Sequence, residues 1–210
     1  MDYLRYIVNE IYTVAVATTD EHGRPVTCAI DIMDYDSNGL YFLTAKGKSF
    51  YKRLIKDKYI ALTGIKGSDT MHMTAVSLRG KVCEAGSDRL GRLFEKNPYM
   101  SELYPTAESR KALTVLRIYD GEGEWFDLSK KPIERNIFTI AKDPKENVEA
   151  KAVGYFITDK CIDCGKCLDA CPQSCIDKGF PKPYTIRQSN CLHCGNCAVN
   201  CPAKAVERRS

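Results

Sequence analysis

The sequence predicts a mainly β chain with some α+β character, an antiparallel β-barrel joined to a small C-terminal domain. Two observations predict the barrel. Between residues 12 and 128, short apolar or alternating runs are separated by turn clusters rich in Gly, Pro, Asp and Asn, and helical periodicity is brief. A third observation sets the C-terminus apart: nine of the 11 cysteines fall between Cys161 and Cys201. For 210 residues two domains are the natural count. We place them at 1–128 and 154–210, with residues 129–153, rich in Lys, Pro, Glu and Asn, as a linker.

Taken in order, residues 2–11 predict a short helix. Tyr12–Thr18 carries small apolar residues on both faces, the pattern of a buried barrel strand, and Asp20–Pro25 is a hairpin turn. Val26, Cys28, Ile30 and Ile32 then alternate with Thr27, Ala29 and Asp31, the period of a half-buried strand. Asp36-Ser37-Asn38-Gly39 turns the chain into the strand Leu40–Thr44. A helix follows at 49–57, where Phe50 and Leu54, and Tyr51 and Ile55, stand at i,i+4. Strands are predicted near 58–65 and 72–84. A helix then runs from a Ser87 cap to about Asn97, where Pro98 stops it, and a short helix lies near 106–112. Leu113–Tyr119 and Glu124–Leu128 read as a last hairpin about Asp120-Gly121-Glu122-Gly123, and one more strand is placed at Asn136–Ile140.

The segment Thr44-Ala45-Lys46-Gly47-Lys48-Ser49 ends a strand and opens a helix. Gly47 permits close backbone approach, Ser49 is placed to cap the helix, and the first-turn N–H groups favour an anion. Lys46, Lys48 and, one turn on, Lys52 add positive charge to that end, so a phosphate group fits the description. A solvated basic loop is the simpler reading of such a match taken alone. A nucleotide P-loop is excluded, because Phe42 stands where its first glycine belongs and the flanking pattern is antiparallel.

Cys161, Cys164, Cys167 and Cys171 read C-x-x-C-x-x-C-x-x-x-C before Pro172, and Cys191, Cys194, Cys197 and Cys201 repeat the spacing before Pro202. Two-residue steps let backbone wrap one face of a 4Fe–4S cube. The fourth Cys does not close easily on the same cube, and in two-cluster ferredoxins it ligates the other one. The expected sets are therefore crossed: Cys161, Cys164, Cys167 and Cys201, against Cys191, Cys194, Cys197 and Cys171. Structural zinc, with one metal per four ligands in separated C-x-x-C pairs, has no use for the third Cys or the Cys-Pro closure. From Tyr155 to about Val206 the chain resembles a bacterial-type two-cluster ferredoxin, with Tyr155–Thr158 returning as Tyr184–Arg187. Cys175 departs from that family's small apolar residue and reads as a buried, unligated thiol. His193, between Cys191 and Cys194, reads as a hydrogen-bond donor near the second cluster.

Residues 10–135 resemble the FMN-binding split-barrel family typified by pyridoxamine 5′-phosphate oxidase. The features are Gly23-Arg24-Pro25 before an alternating strand, Leu40–Thr44 with the Lys-Gly-Lys-Ser loop, and Leu-Arg-Gly-Lys at 78–81. The resemblance implies a split β-barrel that works as a homodimer with FMN at its interface. It assigns the phosphate to Thr44, Lys48, Ser49 and Lys52, and the isoalloxazine to Cys28, Ala29 and Ile30 with Thr74 and Ala75. The basic residues that the oxidase uses for its vitamin substrate have no counterpart here, which argues against pyridoxamine phosphate oxidation. Elsewhere His22 reads as a turn residue, His72 as a packed strand residue and Trp125 as core or interface. Arg135 reads as a solvated linker residue, and Cys28 and Cys83 suit strand packing.

The formal charge of +4 counts every thiol as neutral. Eight thiolates and two cluster cores in the 2+ state bring the holoprotein to about zero, so nothing asks for nucleic acid. No apolar run reaches a membrane span, and no secretory start is visible; with cysteines reserved for metal, a reducing cytoplasm is expected. The resemblances together imply an iron–sulfur flavoprotein oxidoreductase that passes electrons between two 4Fe–4S clusters and FMN, to or from a small acceptor or a redox partner protein. The alternatives are a non-catalytic electron carrier or redox sensor, or a barrel that binds haem or a deazaflavin, as some split-barrel relatives do.

Overall fold

The computed structural model describes residues 1–210 except 87, 141–152, 182 and 210. The expected Ser87 cap and the centre of the expected linker lie outside the described residues. By contact the chain divides into two compact units. The first holds residues 1–66, 75–125 and 137–140; the second holds 67–74, 126–136 and the C-terminal segment from 153. The partition at 128 and 154 drawn from the sequence is kept as a proposal.

In the first unit, α1 (Tyr3–Tyr6) is capped by the Asp2 carboxylate and runs into a π-turn over Ile7–Ile11. It ends on Tyr12, whose φ of 66° is costly for an aromatic residue. Then come β1 (Thr13–Thr19), β2 (Pro25–Asp31), β3 (Asp34–Asp36) and β4 (Gly39–Ala45). These are followed by α2 (Ser49–Asp57), β5 (Tyr59–Gly67) and β6 (Met73–Glu84). Three helices cross over, α3 (Asp88–Lys96), α4 (Met100–Leu103) and α5 (Ala107–Arg110), before β7 (Leu113–Asp127) and β8 (Glu134–Ile140). The sheet order is β2-β1-β5-β6-β7-β4-β3, with β8 on β7. The β1–β2, β1–β5, β3–β4 and β4–β7 pairs are antiparallel. This is the mainly antiparallel split barrel that the sequence predicts.

Alternation builds the core. Val14 and Val16 of β1, Phe42 of β4, Leu62 of β5, Val76 and Leu78 of β6 and Leu116 and Ile118 of β7 all point inward, joined by Ile7 and Leu54. Trp125 is buried among them near Tyr3, so the core reading holds. Two expectations fail. The Asp120–Gly123 stretch is no hairpin tip, because β7 runs unbroken through it. Asp120 takes a left-handed φ of 46°, and Gly121 lets β7 pass so close to β6 that a Cβ would stand 2.9 Å from Gly80 Cα. Those residues serve strand packing, not reversal. His72, expected on a strand, ends the short 3-10 turn Thr70–His72, where Asp69 accepts from its backbone and faces its ring at 2.8 Å.

A buried ionic cluster fastens the crossover helices to the barrel. Asp34 is fully buried and accepts from Arg92 Nε at 2.7 Å and from Lys96. Asp36 accepts from Arg89 and from Tyr41 Oη. Beneath them Met33, Tyr41, Leu93, Phe94 and Met100 form a second apolar cluster.

The second unit carries β9 (Gly154–Ile157), α6 (Lys166–Asp169), β10 (Ile176–Asp177), β11 (Thr185–Ile186), α7 (Asn196–Val199) and β12 (Val206–Arg209). β9 pairs antiparallel with β12, and β10 with β11. Its core is Ile176, Tyr184 and Ile186 packed among Cys167, Cys175, Cys191 and Cys197. Among the described residues, no helix is long and apolar enough to cross a membrane.

Candidate functional site

The two cysteine runs fold alike at an offset of thirty residues. Asp163 and His193, Gly165 and Gly195, and Ser174 and Lys204 form three matched pairs with positive φ. Gly165 (φ 78°) and Gly195 (φ 81°) open α6 and α7, a left-handed entry that glycine adopts without strain. Leu168 N donates to Gly165 O at 2.9 Å, and Ala198 N to Gly195 O at the same distance. The third cysteine of each run, Cys167 or Cys197, is thus carried on a short helical turn, and the fourth, Cys171 or Cys201, follows just after that turn ends.

Two small cavities lie in this unit. One is lined by Cys161, Cys164, Cys167 and Cys201; the other by Cys171, Cys191, Cys194 and Cys197. These are the two crossed quartets. Each cavity is closed by apolar side chains, Ile157 and Tyr184 on one side of the repeat, Tyr155 and Ile186 on the other. Among the described residues, no three or more His, Cys, Asp or Glu side chains converge on a single-ion site; the thiols are ranged around cavities instead of about one point. Backbone donors already face sulfur, with Ala205 N 3.3 Å from Cys201 Sγ and His193 N 3.4 Å from Cys191 Sγ. A thiolate donor set with N–H groups aimed at it fits a 4Fe–4S cube.

Cys175 is 1% exposed and shares the lining of the second cavity, its Sγ 3.5 Å from Cys171 Sγ. Burial, then the hydrogen bond to Cys171, pushes its thiol well above the ordinary range. Arg135, expected as a solvated linker residue, instead directs Nη1 toward Cys191 O at 3.5 Å.

The first unit has a cleft of about 370 Å³, within the range of small-molecule sites. It brings together Cys28, Ala29 and Ile30 of β2, Thr44 of β4 and Lys48 at the start of α2. Ser49 and Lys52 follow on α2, and Thr74 and Ala75 lie at the start of β6; these four are not part of its lining. Lys48, not Ser49, occupies the cap position, since the chain stays extended there (φ −75°, ψ 143°). No side chain caps α2 and no acid sits in its first turn, so its N–H groups stay open to an anion. The Cys28 thiol is pushed up by burial, against the pull of the Arg53 and Lys48 charges. Met33, Leu43, Phe50 and Met100 give the cleft an apolar wall, and Thr13 and Asp31 add polar groups to it. A slot with a cationic end, an apolar wall and a few polar groups fits a flavin mononucleotide.

Sequence reasoning missed the far wall. Tyr99, Met100, Leu103 and Tyr104 border the cleft from the α4 turn. The one signal was their paired i,i+4 spacing just after Pro98. Tyr99 Oη donates to Asp31 Oδ2 at 2.8 Å and lies 2.9 Å from Tyr12 Oη, while Thr13 Oγ1 donates to Asp31 Oδ1 at 2.7 Å. Burial, then the bonds to Tyr12 and Asp31, pushes Tyr99 upward, so it stays a protonated donor at the cleft.

The sequence profile of the pyridoxamine 5′-phosphate oxidase family matches residues 1–119. The chain belongs to that family. A second profile, of a 4Fe–4S dicluster domain, matches residues 138–205, so the oxidase-family barrel is fused to an iron–sulfur domain. A NimC/NimA family protein from Clostridium acetobutylicum superposes with a TM-score of 0.54 at 18% identity, over 66% of this chain and 90% of its own. A haem-binding protein from Mycobacterium smegmatis superposes with a TM-score of 0.51 at 14% identity, over 65% of this chain and 56% of its own. At such identities the likeness concerns the fold. No curated protein matches the chain.

Proposed function

We propose that the chain is an iron–sulfur flavoprotein oxidoreductase, with two 4Fe–4S clusters in the C-terminal unit and FMN in the barrel cleft. The observation that carries the reading is the pair of cysteine quartets, each gathered from both runs around its own cavity. Cys161, Cys164, Cys167 and Cys201 hold one cluster, and Cys171, Cys191, Cys194 and Cys197 the other. In the barrel, Lys48 and the open N-terminus of α2 take the phosphate, with Thr44, Ser49 and Lys52 beside it. Cys28, Ala29 and Ile30 border the ring, and Thr74 and Ala75 are assigned to it as well. When bound, the clusters supply single-electron steps and the flavin pairs two electrons for a small acceptor.

The chain's own groups do the rest. Met33, Leu43, Phe50 and Met100 exclude water from the cleft, and Tyr99 holds a proton at its edge. A homodimer is supported by an uncharged solvent-facing patch in which Ala29, Ala15 and Thr63 lie side by side, next to Thr27, Ala17 and Ala61. The test is to reduce the loaded protein with a reduced low-potential ferredoxin and, separately, with NADH. The flavin is expected to be reduced quickly by ferredoxin, and slowly in a Cys161→Ala, Cys191→Ala variant that retains FMN. Equal rates in the two proteins, or fast reduction by NADH alone, refute a relay through the clusters.

A further inference from the structure

The two halves of the cluster domain are close copies, so each serves as the control for the other. At the fourth residue after the closing cysteine, both halves bury a side chain against a sulfur. In the second half this residue is Ala205, fully buried, whose backbone N–H faces Cys201 Sγ at 3.3 Å. In the first half it is Cys175, with its Sγ 3.5 Å from Cys171 Sγ. A cysteine that ligates iron is a thiolate without a proton, so any hydrogen bond between these sulfurs has Cys175 as its donor. A thiol is a weak donor, yet here it acts on a charge in a nearly dry site.

Two more differences fall on the same side. The residue just before the second cysteine is Asp163 in one run and His193 in the other, both at left-handed φ. Asp163 is exposed and solvent screens it, whereas His193 is half-buried and its backbone N–H faces Cys191 Sγ at 3.4 Å. The guanidinium of Arg135 also reaches the carbonyl of Cys191. Lys160, Lys166 and Asp169 near the first quartet are exposed, Lys160 facing Glu207, and solvent screens them.

Reduction adds negative charge that spreads over the cluster sulfurs. A hydrogen bond to a ligand sulfur and nearby positive charge both favour the reduced form, and hydrogen bonding and local charge are what set cluster potentials. We propose that Cys175 is a positioning residue for electrons: its thiol donates to Cys171 and makes the cluster of Cys171, Cys191, Cys194 and Cys197 the higher-potential member of an unequal pair. An electron shared by the two clusters then resides mainly on that one, so the domain passes electrons in a preferred sense. This rests on the two-cluster reading above.

The experiment is an anaerobic redox titration of the reconstituted full-length protein, followed by electron paramagnetic resonance, with iron counted on every sample. Wild type is expected to show two midpoints. Cys175→Ala is expected to lower only the upper one, by about tenfold in equilibrium constant for the loss of one hydrogen bond to a charged sulfur, or about 59 mV for one electron. Cys175→Ser, which keeps a donor, is expected to restore most of the gap, and Ala205→Cys to raise the lower midpoint. Full iron content with midpoints that Cys175→Ala leaves in place, or moves together, overturns the inference. Iron content far below two cubes in the wild type overturns the two-cluster reading instead. If Cys175→Ala fails to hold iron, Ala205→Cys decides, and a lower midpoint that it leaves in place overturns the proposal.

Discussion

Replacing Lys48 by Ala separates a phosphate site from a solvated basic loop. Lys48 lies at the cap position of α2, lines the cleft, and among the described residues pairs with no carboxylate. Its ammonium is therefore available to an anion. A hydrogen bond to a charged group contributes about 1.5–3 kcal/mol, which corresponds to roughly ten- to a hundredfold in affinity. Lys48 is exposed, and solvent screening places the expected loss near the lower end, about tenfold. The open N–H groups of α2 stay behind and retain part of the phosphate affinity. The assay is fluorescence titration of apoprotein with FMN and with riboflavin, which lacks the phosphate. Lys48→Ala is expected to weaken FMN about tenfold and leave riboflavin within twofold. Equal losses for both ligands refute the assignment, as does an FMN affinity that does not change.

Crossed ligation predicts that Cys201→Ala removes about half of the iron, the share held with Cys161, Cys164 and Cys167; loss of the Cys191 cluster instead, seen by iron analysis and spectroscopy, contradicts it. Cys171 is best tested together with Cys175→Ala, since the Cys175 thiol 3.5 Å away is close enough to substitute. Asp34→Ala is expected to cost about 2 kcal/mol by urea unfolding, below the 3–5 kcal/mol of a broken buried pair, because Arg92 and Lys96 are half-exposed and regain water. Burial raises the Asp34 pKa, but Lys96, Arg92 and the Tyr35 backbone more than offset it, so the folded carboxyl lies below its ordinary value. Its stabilisation is therefore present above the unfolded pKa of about 3.9 and lost as pH falls through the folded value. Wild type should lose this margin over Asp34→Asn in acid, and equal pH profiles in the two proteins would contradict the sign.

How much was legible follows from which force decides each element. Cysteine spacing is dictated by coordination geometry, so both quartets could be read before any fold was known. The alternation of β2 and the i,i+4 pairs of α2 are local consequences of burial on one face, and both elements matched closely, α2 to the residue. β1 was read as buried on both faces, but only Val14, Val16 and Thr18 turn inward, because small residues such as Ala15 and Ala17 suit an open face as well as a buried one. Asp120–Gly123 misled because turn chemistry and close strand packing select the same residues. The cap of α2 moved one residue because a basic loop, not a hydroxyl, sets the chain direction there. The cleft wall of Tyr99, Met100 and Leu103 was hidden because a four-residue helix has no periodicity to read. Its position depends on the distant Asp34 and Asp36 clusters with α3.

Iron, acid-labile sulfide and extracted cofactor, counted together on the anaerobically reconstituted protein, test the central claim most directly. The account predicts about eight irons and about eight sulfides per chain, as two 4Fe–4S cubes require, with about one FMN identified by mass. About one zinc per four cysteines, or a barrel that yields haem or a deazaflavin in place of FMN, would contradict it.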